Sequence, residues 1–112
     1  MEQIKDFSQY KQAISCDGIA VLEGYATWCT HCKSMEPVVD EMNQRYPDVR
    51  FYAYNTDEAD EVVNELGIHQ MPAFHIFKDG NMVDTITGER SAGLEKAIQD
   101  CRGEGTGSEV SS

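Results

Sequence analysis

The chain has 112 residues, room for one compact domain with one core. It carries 9 Lys and Arg against 20 Asp and Glu, a formal charge of -11. Such a surface repels a phosphate backbone or an anionic membrane, which excludes nucleic acid as a partner.

In chain order, a weak strand around Gln3-Ile4 comes first. Phe7, Tyr10 and Ile14 then form a helical stripe that ends near Cys16-Asp17-Gly18. Residues 19–26, IAVLEGYA, are apolar and partly β-branched, the signature of a buried central strand, apart from the single charge of Glu23. From Cys29 to Tyr46 the residues Met35, Val38, Val39, Met42 and Tyr46 keep helical spacing, and Tyr46-Pro47-Asp48 closes that helix. Residues 49–57 alternate as a strand, and residues 58–67 form a short helix stopped by Gly67. Ala73 to Phe77, the turn Lys78-Asp79-Gly80-Asn81, and Met82 to Thr87 make a hairpin. A last helical stripe runs through Leu94, Ala97, Ile98 and Cys101. Alternation followed by a hairpin predicts an α/β domain over residues 1–102, with a mixed sheet and helices on both faces. Residues 103–112, GEGTGSEVSS, offer nothing to bury and are expected to be a disordered tail.

No run is long and apolar enough for a membrane span, and the opening residues lack the layout of a secretion signal. The expectation is a soluble, cytoplasmic protein with no membrane partner. In a reducing compartment the four cysteines are not a disulfide framework, so only a reactive or metal-bound pair is expected. Cys16 and Cys101 stand apart from the others and are read as structural or incidental.

The chemistry concentrates in Trp28-Cys29-Thr30-His31-Cys32, at a strand-to-helix junction. Thiols at i and i+3 of a first helical turn share a face, with β-carbons roughly 5 to 6 Å apart, close to the roughly 3.5 to 4.5 Å of a disulfide. Cys29 sits where backbone N–H groups and the helix dipole favour a thiolate, which makes it the nucleophile. Cys32, one turn in, is the resolving thiol. Two other readings stand beside this one. Zinc would need ligands that a single CxxC with His69 and His75 does not supply at familiar spacing. A purely structural staple would close too short a loop to matter for stability.

Tyr25-Ala26-Thr27-Trp28-Cys29, Cys32-Lys33, Pro37, Asn55-Thr56-Asp57, Met71-Pro72, Phe77-Lys78-Asp79-Gly80 and Gly88 together resemble the thioredoxin family in order and spacing, over roughly residues 1 to 101. The chain looks most like the cytosolic eukaryotic members, fungal ones included. The resemblance implies a thioredoxin fold with a central sheet of four or five strands and reduction of disulfides in substrate proteins. It also implies no bound cofactor, NADPH being used indirectly through thioredoxin reductase as partner. By position, Pro72 would be a cis proline facing the thiols, and Met71 beside it would offer backbone to an extended substrate. Trp28 would contact partners, and Pro37 would remove the donor to the Lys33 carbonyl.

Thr30-His31 replaces the usual Gly-Pro between the thiols. A histidine there resembles disulfide isomerases and oxidases, where it stabilises the thiolate, yet Met71 is thioredoxin-like. Oxidase or isomerase activity is thus the alternative, and a redox-inactive adaptor of the same fold is a third. Glu23 stands where thioredoxins bury an Asp, and its pKa should be raised, suiting it to exchange a proton with Cys32. A lysine often accompanies that acid; here Ala53 takes its place.

Overall fold

The computed structural model describes residues 1–103. In order the elements are β1 (Glu2–Gln3), α1 (Phe7–Ile14), β2 (Ile19–Tyr25), α2 (Thr30–Arg45), β3 (Val49–Asn55), α3 (Asp60–Leu66), β4 (Ala73–Lys78), β5 (Asn81–Thr87) and α4 (Ser91–Cys101). Apart from Gly103, the expected tail lies outside the described residues.

Five strands form one mixed sheet in the order β1-β3-β2-β4-β5. β2 is central, parallel to β3 and antiparallel to β4, and β1 runs parallel to β3 at one edge. The period-2 alternation of β2 then decides the layers. Ile19 and Val21 face α2 and α4, packing with Met35, Val39, Phe74, Leu94 and Ile98. Ala20 and Leu22 face α1 and α3, packing with Tyr10, Ala13, Tyr54 and Val62. Glu23 continues the Ile19-Val21 row, so its carboxyl is directed under α2.

Boundaries differ from the sequence expectation for local reasons. The strand read over 49–57 ends at Asn55, because the Asn55 carbonyl accepts the N–H groups of both Glu58 and Ala59 in a turn. That turn also delays α3 until Asp60, and Gly67 ends it as expected, in the left-handed region at φ 67°. In the hairpin, Asp79 and Gly80 both have positive φ, 51° and 88°, the pair of conformations that a two-residue turn between twisted strands requires. Pro37 stands inside α2 without breaking it.

Gly24 marks a close approach of β2 to the layer on the α1/α3 side. A β-carbon there would lie 2.5 Å from Ile68 Cδ1 and 2.6 Å from Tyr54 Oη. Tyr54 cannot retreat, being fully buried with Oη 2.8 Å from His75 Nε2. Gly24→Ala is therefore expected to destabilise the fold by roughly 1 to 3 kcal/mol, the usual cost of overpacking. Urea unfolding reads this directly, and an unchanged midpoint would mean that Ile68 swings aside freely.

Candidate active site

The chain leaves the C-terminal end of β2, makes a tight turn in which the Cys29 N–H donates to the Ala26 carbonyl at 3.1 Å, and enters α2. Cys29 is the N-cap, with extended backbone, and its sulfur accepts the Cys32 N–H at 3.2 Å. An N-cap acceptor satisfies one of the otherwise unpaired donors of the first turn, so the position favours electron density on that sulfur. Cys29 and Cys32 are joined as a disulfide with their Cα atoms 5.3 Å apart. They are 6% and 3% exposed and form a small cluster with Ala26, against which Tyr25 and Met71 pack.

Glu23 is 3% exposed. It sits on the central strand, paired in register with Ala53 on one side and Phe74 on the other. An edge position that lets the carboxylate reach bulk solvent is therefore ruled out. Burial, reinforced by the charges of Glu36 and Asp40, pushes its pKa up to about 7. The small side chain of Ala53 brings no cation to oppose that rise. Glu23 and Cys32 line one cavity of about 460 Å³, together with Lys33, Glu36 and Asp40. That space is ample for water to connect the carboxyl with the thiol.

The remaining residues singled out in the sequence gather around the disulfide. Trp28 is 66% exposed, and its indole N–H donates to Asp57 Oδ2 at 2.8 Å. The Met71–Pro72 peptide is cis. The Met71 sulfur accepts from the Thr56 hydroxyl at 3.3 Å, and the Pro72 carbonyl accepts the Gly88 N–H at 2.8 Å. His31 Nδ1 lies 2.6 Å from Glu89 Oε1. The roles of Asp57, Thr56, Glu36, Asp40 and Glu89 in holding this constellation were not visible in the sequence. Asp57 and Glu89 come from loops far along the chain, while Glu36 and Asp40 act from α2 on Glu23 of β2, and the acidic composition of the chain hides any single carboxylate.

Among the described residues, no group of three or more His, Cys, Asp or Glu could hold a metal ion, and Cys29 and Cys32 are bonded to each other. Cys16 and Cys101 are free.

A redox-active thiol pair at a helix start, on a mixed sheet flanked by helices, defines a thiol–disulfide oxidoreductase. The comparison with known proteins agrees. Residues 3–100 match the thioredoxin family, and the chain belongs to it. It is 32% identical over 99 residues to Thioredoxin-1 of Schizosaccharomyces pombe, covering 88% of this chain and 96% of that protein. Over 98 residues it is 35% identical to the mitochondrial Thioredoxin-3 of Saccharomyces cerevisiae, covering 88% and 77%. The crystal structure of the latter in its oxidised form superimposes with a TM-score of 0.87 at 34% identity, covering 89% of this chain and 94% of that one. Proteins of this family hold no cofactor of their own. They act with thioredoxin reductase and pass electrons to disulfides in substrate proteins.

Proposed function

We propose that Cys29 is the attacking thiol, Cys32 the resolving thiol and Glu23 the group that exchanges the Cys32 proton, in a protein that works mainly as a disulfide reductase. The hydrogen bond from the Cys32 N–H to the Cys29 sulfur carries this reading, because the same donor stabilises a thiolate on Cys29 after reduction. The Cys29 thiolate attacks one sulfur of a substrate disulfide, forms a mixed disulfide and releases the other sulfur as a thiolate. Cys32 then gives its proton to Glu23 through the shared cavity and attacks the Cys29 sulfur. The second substrate sulfur leaves, the substrate has gained two electrons, and the Cys29–Cys32 disulfide has formed.

Trp28 and the backbone of Met71 and Pro72 form the docking surface in this reading. The Asp57 hydrogen bond supports it by holding the exposed indole in one orientation, so less freedom is lost when a partner binds. His31, two positions after Cys29, favours the thiolate when protonated and makes the couple more oxidising than it would be without the ring. Oxidase or isomerase behaviour is the reading to adopt if that effect dominates.

No helix among the described residues is long and apolar enough to cross a membrane. The cytoplasm is the location we propose. The mitochondrial relative makes the organelle the alternative that cell fractionation tests.

Iodoacetamide added to the reduced protein at pH 7 tests the assignment of nucleophile. Cys29 is expected to be labelled first. Cys101 should lag, since burial pushes its thiol pKa up, and so should Cys32. Mass mapping that finds Cys101 or Cys32 alkylated ahead of Cys29 would overturn it.

A further inference from the structure

The loop between β5 and α4 brings a carboxylate to the N-terminus of α2. Its path is anchored: the Gly88 N–H donates to the Pro72 carbonyl at 2.8 Å, and the Arg90 N–H donates to the Gly88 carbonyl at 2.9 Å. Gly88 takes a positive φ of 81°, and a β-carbon there would come within 3.2 Å of the Gln70 side chain, so this backbone is matched to the segment beside the thiols. The next residue, Glu89, places Oε1 2.6 Å from His31 Nδ1. An ionised carboxylate only accepts, so Nδ1 carries the hydrogen of this bond. α2 has no acidic residue in its own first turn, and Glu89 supplies an anion there from 58 positions away.

That anion has two consequences for the dithiol. It offsets the positive charge of a protonated His31, and its own field opposes a thiolate at Cys29. With the ring protonated, both favour the disulfide over the dithiol; the carboxylate also favours the protonated ring itself, an opposing effect that the comparison of variants below weighs against them. We propose that Glu89 is a positioning residue for the redox reaction: it holds the His31 ring by Nδ1, balances its charge, and so keeps the Cys29–Cys32 couple more reducing than a free histidine in the motif would make it. This inference rests on reading His31 as favouring the Cys29 thiolate. The His31 and Glu89 side chains are 69% and 42% exposed, so solvent screening limits the effect to a few-fold rather than hundreds-fold.

The test is equilibration with glutathione at pH 7 for wild type, Glu89→Gln, His31→Ala and the double variant. In this exchange two glutathione thiols become one glutathione disulfide, and the Cys29–Cys32 bond takes up two electrons and two protons. Alkylation followed by mass measurement gives the fraction of each form. Glu89→Gln is expected to shift the equilibrium about threefold to tenfold toward the dithiol, roughly 14 to 30 mV for a two-electron couple. In the His31→Ala background the same substitution should move it less than twofold, and His31→Ala alone should move it toward the disulfide. A Glu89→Gln shift below twofold, a shift toward the disulfide, or an equal shift in both backgrounds overturns the role of Glu89. If His31→Ala alone changes nothing, the reading of His31 falls and the inference with it. If His31→Ala acts and Glu89→Gln does not, only the Glu89 assignment falls.

Discussion

Cys29→Ser should lower disulfide reduction by several orders of magnitude, while Cys32→Ser should accumulate a stable mixed disulfide with substrate. The asymmetry follows from the order of attack. Without Cys29 there is no nucleophile at the helix N-cap; without Cys32 the first bond still forms, and nothing inside the protein breaks it. Loss of folding does not confuse this result, because serine is itself a favoured N-cap residue and its hydroxyl can accept the Cys32 N–H that the Cys29 sulfur accepts now. Non-reducing gel analysis against an oxidised protein substrate such as insulin separates the two variants. Equal trapping by both would reverse or dissolve the assignment of roles.

Glu23→Leu should stabilise the protein above neutral pH and slow its catalysis. In the folded state the carboxyl has a pKa of about 7 against an ordinary 4.5, so between those values the folded protein binds more protons than the unfolded chain. Stability is then greatest below about pH 4.5 as far as this group is concerned, and it is lost as pH rises toward and through 7. The rise from 4.5 to about 7 corresponds to a cost on the order of 3 kcal/mol once the group is ionised in the fold. Leucine removes that cost, so its melting temperature should exceed wild type on the order of 10 °C at pH 8, with the gap closing toward pH 5. Turnover should fall by roughly 10²-fold near neutral pH if Glu23 takes the Cys32 proton as we propose. A variant that is less stable at pH 8 yet turns over normally would show that Glu23 serves packing alone.

His75 has the opposite sense. Burial pushes its pKa down to about 4, so the unfolded chain binds the extra proton between pH 4 and 6.5, and this group withdraws stability as pH falls through that window. The two buried groups therefore penalise opposite ends of the pH scale, one on each face of the sheet, Glu23 on β2 and His75 on β4.

Element types were legible in the sequence wherever a short-range rule governs them. Gly67 stops α3 because it can adopt the left-handed conformation, and Asp79-Gly80 turns the hairpin for the same reason. The thiol pair and its place at a helix start were equally legible, because i, i+3 spacing and the strand-to-helix change both lie within a few residues. Element ends were less so. Asn55 and Glu58 show why, since a turn hydrogen bond truncates a strand whose alternation continues past it.

By itself, the order of residues determined the kinds of element, the redox pair, and a carboxyl placed in an apolar strand. Local backbone preference and side-chain periodicity act over a few residues, and that is enough for all three. Only the tertiary structure decided what surrounds those groups. It made β2 central, with Ala53 beside Glu23 and Glu36 and Asp40 above it, which is what raises the carboxyl's pKa. It also delivered Asp57 to Trp28 and Glu89 to His31, across 29 and 58 positions. Such pairings depend on the path of the chain around the sheet. No local pattern marks one carboxylate among 20 acidic residues as the one that will arrive.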